Sequence, residues 1–552
     1  MPRHPLLPLL ALLLALAVPA RAQISMPDGV ALSPFPVAQN PAAYVTFGDG
    51  VGGLWAVFQG ATPGSGLFVR HVDADGTPGL GFTQDPKRIA DDGTLVNNIS
   101  AAPDGIGGAV ITWFGTNPKD STSQFIALRF TRVTYEGTLA TRDTGVVVSN
   151  VASSGQVVGD GTGGAYVAWE EVDSISNPDI VAQRYSPLGA ALWTPFSSPT
   201  GVTLCAAVGL QRLRSIIADG ANGAYVVWAD SRTSNTVPLY AGRLTPSGVA
   251  GAPWPTNGVR VSPVSSGIRF SGIARSSTNG LLLAWRDLVV PTQIIAQHVL
   301  PTGAMGWPAG GTMVTTAGAS RVEFVPAPAG GAFVTWGGTD IRSQRISASG
   351  TRLWSELPGR VLITPVGGAV NVRAACDDAG GQRLLWSWDN AGQTDMSMLR
   401  VDSTGVLRPG ESAFGTVLES DAVAEDAVGW HSPESASPVI VWLEAGVLRA
   451  RRLDANPLDV PPGTTGPLAL AAPNPNPVRG GSFTLRFAAP AGAARIELFD
   501  VTGRRVLERA FESTGGAQAV RLEPGSRMAP GVYTARLSAG GTRVTRRIVR
   551  AD

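Results

Sequence analysis

Short apolar runs separated by glycine, proline, asparagine and aspartate recur along most of this 552-residue chain. In one recurring phrase a Gly-rich turn leads into an apolar run that ends in tryptophan, as in GGAVITW, GGAYVAW and NGAYVVW. Its copies end at Phe58, Trp113, Trp169, Trp228, Trp285, Trp336, Trp386 and Trp442. Because the copies lie 50–59 residues apart, the sequence predicts eight repeats between about residues 24 and 454.

Each repeat contains four short alternating or β-branched runs, which is the pattern of half-buried β-strands. A second phrase after the tryptophan, such as DIVAQRYSPLGAALW at 179–193, supplies the third run, and pieces such as GVTL at 201–204 supply the fourth. Four strands in about 50 residues is the size of one propeller blade. We therefore predict an all-β fold in which residues 23–454 form an eight-bladed β-propeller, with a seven-bladed ring or an open array as alternatives.

The two ends of the repeat region complement each other. The last copy has three strand-like runs and then enters a Pro-rich segment without a fourth, whereas the chain start carries a spare run, Gly29–Ser33. Pairing this run with the third strand of the last blade, near Val447–Leu453, would close the ring and remove two exposed sheet edges. The sequence thus predicts closure by the N-terminal strand.

The first 22 residues have the three parts of a secretory signal peptide. Arg3 provides the basic start, Leu6 to Val18 is an apolar run too short to span a membrane, and Ala20-Arg21-Ala22 fits the cleavage rule. No later segment is long and apolar enough for a transmembrane helix. The sequence therefore predicts an exported protein without a transmembrane helix.

A second module follows a Pro/Gly linker at 455–467. Its strand-like runs alternate between apolar and polar residues, as half-buried antiparallel strands do. They are Ser482–Ala488, Ala494–Asp500, Arg505–Arg509, Ala517–Leu522, Gly531–Leu537 and Thr542–Arg550. About 85 residues suffice for a small β-sandwich, so residues 468–552 are predicted to form one.

This module resembles a known family. The segments PNPNP at 473–477, FTLRF at 483–487, ARIELFDVTGRRV at 494–506, PGVYTARL at 530–537 and RVTRRIVR at 543–550 are similar to the C-terminal sorting domain of bacterial type IX secretion. They equally resemble the Ig-like domain of flagellar hook-capping proteins. The resemblance implies delivery across the outer membrane by the secretion machinery, and hence a secreted or cell-surface location.

Charge and composition exclude several classes of protein. The formal net charge of +1 argues against a nucleic-acid binder, although residues 468–552 carry +7 and residues 23–467 carry −8 by count. The four histidines and two cysteines show no metal-ligand spacing, so we expect no metal and no cofactor. Cys205 and Cys376 fall in distant repeats, which predicts two free thiols.

Features present in nearly every repeat are more readily explained by the fold than by catalysis. The second-strand tryptophans, and those that follow the third strand, are predicted to pack within and between blades. The Asp-Gly pairs at Asp49, Asp104, Asp160 and Asp219 suit tight hairpin turns. A basic position recurs in the third strand, and its members are expected to form structural ion pairs or a solvated face: His71, Arg184, Arg243, His298, Arg345, Arg400 and Arg452.

Unexplained groups cluster just beyond the second-strand tryptophans. In a propeller these positions lie on one face, around the channel mouth, where an acidic rim with Trp and Arg could bind a sugar, a peptide or a cation. A carboxylate pair there could also serve acid–base chemistry, and a solvated loop ring is the alternative without function. The candidate binding residues are Glu171, Asp230, Arg232, Arg286, Asp287, Trp388 and Asp389, with Glu170 nearby.

Two hypotheses follow for the function. The first is a non-enzymatic binding or adhesion propeller for a glycan or protein ligand, which the even repetition and the lack of a unique catalytic constellation favour. The second is a secreted polysaccharide hydrolase or lyase that uses rim carboxylates. No catalytic residue is assigned by the sequence.

Overall fold

The computed structural model describes residues 30–550 with gaps, the longest of which are 116–125, 453–468 and 471–482. The described residues form strands and turns, with no helix among them. The predicted signal peptide and the whole of the predicted linker lie outside the described residues.

The repeats fold as blades of antiparallel strands in sequence order. The strands of the first four blades are Tyr44–Gly48, Leu54–Gln59, Leu67–Val72 and Lys87–Ala90; Asn97–Pro103, Ala109–Gly115, Ala127–Val133 and Val146–Ser149; Ala152–Gly159, Ala165–Glu171, Asp179–Tyr185 and Val202–Cys205; and Gln211–Ala218, Ala224–Asp230, Leu239–Thr245 and Val259–Arg260, with Gly248–Val249 as an additional short strand.

The next three blades follow the same order, and the eighth takes its fourth strand from the chain start. Their strands are Ile268–Arg275, Leu281–Asp287, Gln293–Val299 and Thr312–Thr315; Glu323–Pro326, Ala332–Trp336, Ile341–Ile346 and Arg360–Ile363; Val370–Cys376, Gln382–Asn390, Gln393–Val401 and Thr416–Glu419; and Ala424–His431, Val439–Glu444, Val447–Arg452 and Val30–Ala31.

The blades form a closed ring. First strands of successive blades contact one another, and the first strand of blade 8 contacts that of blade 1. The hydrophobic core is divided into clusters that each join two neighbouring blades; one of them places Trp228 of blade 4 against Tyr166 and Trp193 of blade 3. The cluster that joins blades 8 and 1 contains Leu448 and Phe58. The prediction of an eight-bladed β-propeller is confirmed.

The predicted closure is confirmed as well. Val30 pairs with Ala450 and Ala31 with Arg449, so the N-terminal strand is the outer strand of the last blade. The second-strand tryptophans are buried as predicted, with Trp228 fully inaccessible to solvent.

An Asp–basic pair holds each of the first four blades. In blade 4 the Asp219 carboxylate caps the first hairpin by accepting the backbone N–H of Gly223 at 2.8 Å, and its other oxygen lies 2.7 Å from the guanidinium of Arg243 on the third strand. At the equivalent positions Arg132 and Arg184 form ion pairs with Asp104 and Asp160, and Nε2 of His71 lies within hydrogen-bond distance of Asp49, at 3.0 Å. The predicted structural role is confirmed for His71, Arg184 and Arg243, and Arg132, which the sequence analysis did not name, has the same role.

Indole groups also link several neighbouring blades through hydrogen bonds. The Nε1–H of Trp193 donates to the carbonyl oxygen of Pro246 at 3.0 Å, and that of Trp254 donates to Pro301 at 2.9 Å. The hairpin glycines also permit close approach of neighbouring blades, since a side chain at Gly105 would overlap the backbone of Gly161 in the next blade. The recurring residues therefore set the spacing of the blades.

Both cysteines are free thiols, as predicted. Cys205 ends the fourth strand of blade 3 and is buried, whereas Cys376 ends the first strand of blade 7 and is half-buried.

The C-terminal module contains two antiparallel sheets. One contains Ala469–Leu470, Phe483–Ala489 and Gly516–Leu522, and the other contains Gly492–Phe499, Arg505–Ser513, Gly531–Ala539 and Thr542–Arg550. A single core cluster joins them, with Leu485 and Phe487 from the first sheet and Ile496 and Leu537 from the second. This is a small β-sandwich, and the predicted strands agree with the observed ones to within a few residues.

Candidate functional site

The predicted rim exists as a structural position. Glu171, Asp230 and Asp287 each occupy the last residue of the second strand in blades 3, 4 and 5. Each is paired with the first residue of the neighbouring first strand, as in Asp230 with Gln211. The three carboxylates therefore lie at equivalent places along one side of the ring, as the repeat predicted.

Glu171 is tied to its surroundings by two hydrogen bonds. Its carboxylate accepts the indole N–H of Trp169 at 2.5 Å and the hydroxyl of Ser149 at 2.8 Å. Since Ser149 belongs to the fourth strand of blade 2, Glu171 joins blades 2 and 3 as well as facing the rim.

Asp230 differs from the sequence-based expectation. We expected an exposed loop carboxylate, but its side chain is fully buried. It accepts the indole N–H of Trp228 at 2.9 Å, the backbone N–H of Arg232 at 2.9 Å and the guanidinium of Arg232 at 2.6 Å. The expectation that Asp230 is exposed is wrong. The second strand continues for two residues beyond Trp228, so the Asp230 side chain points to the same buried face as that of Trp228.

Arg232 completes this buried group. Its guanidinium lies 4.0 Å from the centre of the Tyr240 ring and donates to the carbonyl oxygen of Asn257 at 2.8 Å and to Sγ of Cys205 at 3.2 Å. Burial would raise the pKa of Asp230, but the hydrogen bonds from Arg232 and Trp228 outweigh it and hold that pKa below its usual range. Burial raises the pKa of the Cys205 thiol to about 12, so this thiol is protonated and a poor nucleophile at neutral pH.

The other predicted rim residues fall in blades 5 and 7. Arg286 and Asp287 end the second strand of blade 5, and both are half-buried. Trp388 and Asp389 lie in the second strand of blade 7, Gln382–Asn390, and their side chains lie outside the described residues.

Glu170 has a larger role than its position next to Glu171 suggested. Its carboxylate accepts the backbone N–H of Leu213 at 2.7 Å, the guanidinium of Arg212 at 2.9 Å and the hydroxyl of Ser153 at 2.8 Å. Leu213 and Arg212 belong to the first strand of blade 4, so a buried carboxylate of blade 3 clamps the innermost strand of the next blade.

Sequence reasoning missed a group of arginines on the first strands. Arg212 and Arg214 lie in the first strand of blade 4, and Arg269 lies in that of blade 5, directly opposite Arg286 in register. Arg214 sits at a β-bulge between Leu213 and Ser215. The available signal was the recurrence of arginine near the start of the first strands of blades 4 and 5, whereas the sequence analysis considered the segments after the tryptophans.

The electrostatics of this arginine group are unusual. Desolvation by the surrounding protein lowers the pKa of the Arg214 guanidinium, and the positive charges of Arg212 and Arg269 lower it further. The negative charge of Glu170 acts in the opposite direction and raises that pKa. Even so, the Arg214 side chain is exposed to solvent.

Across the part of the chain that the structure describes, no group of three or more His, Cys, Asp or Glu side chains is placed to hold a metal ion. In the same part, no helix is long and apolar enough to cross a membrane.

Solved structures that resemble this chain are distant in sequence. PorZ, an essential surface component of the type IX secretion system of Porphyromonas gingivalis, is 10% identical, with 95% of this chain and 100% of PorZ covered and a TM-score of 0.27. A puromycin hydrolase is 13% identical, with 76% and 62% covered and a TM-score of 0.40. The polysaccharide lyase Uly1 is 9% identical, with 68% and 91% covered and a TM-score of 0.36. No curated protein matches the chain.

The C-terminal module matches a protein family directly. Residues 474–551 match the family described as the secretion system C-terminal sorting domain. The matched residues cover the two sheets of the sandwich except for the short strand Ala469–Leu470. The chain therefore carries a type IX sorting domain behind its β-propeller and is a secreted, cell-surface protein.

Proposed function

We propose that the propeller is a non-enzymatic binding module, delivered to the cell surface by its sorting domain, and that its ligand is a glycan. The observation that supports this most is the engagement of the rim carboxylates. Glu170, Glu171 and Asp230 each accept two or more hydrogen bonds from groups on their own strand, the following turn or a neighbouring strand. They act as structural links between strands and blades.

The ionisation of Asp230 supports the same reading. A general acid in glycoside hydrolysis needs a carboxyl group whose pKa is raised toward neutrality. The pKa of Asp230 is held low by Arg232 and Trp228, so this carboxylate stays ionised and its oxygens stay occupied. Carboxylates that stay ionised and hydrogen-bonded stabilise the ring, and this role favours a binding protein over an enzyme that needs a proton donor.

The binding surface would then be the side of the ring at which the second strands end. The repeat keeps the backbone the same in each blade while the side chains differ, as with Glu170, Ala229 and Arg286 at one equivalent position. A regular scaffold with variable side chains is how repeat proteins form extended binding surfaces.

The experiment screens the purified mature protein on a glycan array and incubates the same glycans with it in solution. We expect saturable binding to a subset of glycans and no new reducing ends or unsaturated ends in solution. Product release that grows with time and protein concentration would contradict the proposal and favour the polysaccharide hydrolase or lyase.

The control is a Glu170→Gln protein. This change keeps the shape of the side chain but removes its charge, so a hydrolase that used Glu170 would lose turnover, whereas a binding protein would lose stability first. Unchanged folding with abolished product release would therefore assign a catalytic role to Glu170.

A further inference from the structure

Four arginines lie on the first strands of blades 4 and 5 and on the adjoining second strand of blade 5. Arg212 and Arg214 are two residues apart in the first strand of blade 4, and this strand contacts the first strand of blade 5, which carries Arg269. Arg286 lies opposite Arg269 in the antiparallel register, so the two side chains project from the same face of the blade 5 sheet. We call Arg212, Arg214, Arg269 and Arg286 the arginine cluster.

The carboxylates near the arginine cluster are too few to balance its positive charge. Glu170 is its one direct carboxylate partner among the described residues, and it is ion-paired with Arg212. Asp287 is next to Arg286 in sequence, but consecutive strand residues point to opposite faces. On the next first strand Glu323 lies 3.7 Å from Arg373 of blade 7. The undescribed segments beside blade 5, at 265–266, 289–292 and 317–321, contain no Asp or Glu.

The guanidinium groups also have unused hydrogen-bonding capacity. Within the described part of the chain no hydrogen bond or ion pair engages the Arg214 guanidinium, and the buried Nε of Arg286 has no acceptor. Arg269 donates only to the carbonyl oxygen of Ile268, at 3.1 Å. A buried donor without an acceptor is costly, which applies to the Nε of Arg286, while the exposed guanidinium groups of Arg214 and Arg269 are free to bind an anion from solution.

A β-bulge in the backbone sets the direction of the Arg214 side chain. A β-bulge leaves one residue of a strand unpaired and redirects its side chain. The same bulge recurs at Ser271 in blade 5, where the residue is small and polar. In blade 4 the bulge carries a long cationic side chain instead, and Gln156 of blade 3 donates to the Arg214 carbonyl oxygen at 3.2 Å.

We propose that the arginine cluster binds the carboxylate or sulfate groups of an acidic oligosaccharide. The planar guanidinium fork matches both oxyanions through paired hydrogen bonds. The propeller as a whole opposes a long polyanion such as nucleic acid, because residues 23–467 carry −8. This inference rests on the proposed glycan-binding function and specifies the ligand class.

The test is a calorimetric titration of the mature protein with three probes: a galacturonate hexamer, a sulfated hexasaccharide and a neutral hexasaccharide. We expect one or both charged probes to bind, with an affinity that falls as salt rises. The double variant Arg214→Gln, Arg269→Gln should weaken that binding by at least about tenfold. Arg275→Gln, on the same strand as Arg269 but at its other end, should change nothing.

The melting temperatures of all variants are measured as well, because the replacement of exposed arginines should leave the protein folded. If the double variant does not fold, the single variant Arg214→Gln is used instead. Equal affinity of wild type and double variant for a charged probe, or no binding of either charged probe, would overturn the anion site. Binding of the neutral probe alone would overturn the site but leave the glycan-binding function intact. Shortening of any probe would overturn the function itself.

Discussion

Val30 and Ala450 are register partners in one antiparallel sheet, so the beginning of the described chain completes its last blade. Leu32 continues the seam by donating its backbone N–H to the carbonyl oxygen of Leu448 at 2.7 Å. The hydroxyl of Ser33 accepts the backbone N–H of Leu448 at 3.2 Å. The ring is therefore closed by hydrogen bonds between its two ends, and no blade is left with an unpaired edge at the seam.

Shortening Leu32 should open this seam. Leu32 is fully buried in the cluster that joins blades 8 and 1, so Leu32→Ala should lower the free energy of unfolding by about 2–5 kcal/mol. Urea denaturation of the mature protein measures the change. Ala31→Ser, at an exposed position of the same strand, is the matched control, and equal stability of the two variants would show that the seam contributes little.

Replacing Asp230 should destabilise the protein instead of only altering its surface. Asp230→Ala would leave the guanidinium of Arg232 and the indole N–H of Trp228 without their acceptor, at a cost of about 1–3 kcal/mol or more. The exposed Glu136→Ala change is the control. If both variants melt like the parent, the Asp230 carboxylate has no structural role.

The fifth blade should respond to mild acid. Ser276 replaces the hairpin aspartate there, and its hydroxyl lies 3.0 Å from Nε2 of His298. Burial lowers the pKa of His298, so the unfolded chain takes up the proton first, at about pH 6.5. The stability from neutral His298 is complete above that pH and is lost as the pH falls toward the folded-state pKa.

The double variant Ser276→Asp, His298→Arg rebuilds the pair found in blades 2 to 4. We expect the unfolding free energy of the parent to decrease between about pH 6.5 and 5, and the variant to lack that part of the decrease. Denaturation curves across this pH range measure it. Parallel pH profiles would mean that His298 titrates alike in both states.

The sequence predicted the repeated parts of the fold well, because the residues that the fold requires recur once in each blade. The buried tryptophans, the Asp–Arg pairs and the closing strand were all visible as periodic residues or as a missing strand. The role of Asp230 was not, since a side chain at a strand end turns inward or outward according to the tilt of that strand and to partners such as Arg232. The arginine cluster was missed because it depends on which blades are adjacent and on a bulge at Arg214.

Removing residues 468–552 should separate folding from delivery. The sandwich has its own core, with Leu485, Phe487, Ile496 and Leu537 among its members, and residues 474–551 match the sorting domain family. We expect the truncated protein to retain a folded propeller by circular dichroism and thermal melting, but to be lost from the cell surface when expressed in its host. Undiminished surface labelling of the truncated protein would contradict the sorting role.

The central claim is that the propeller binds a glycan and leaves it intact. The direct measurement saturates the mature protein with the glycan that it binds best, recovers the ligand after prolonged incubation and determines its mass. We predict saturable binding and recovery of the ligand at its original length. A shortened or unsaturated ligand, formed by the parent but not by Glu171→Gln or Asp287→Asn proteins that fold normally, would contradict the claim and establish an enzyme.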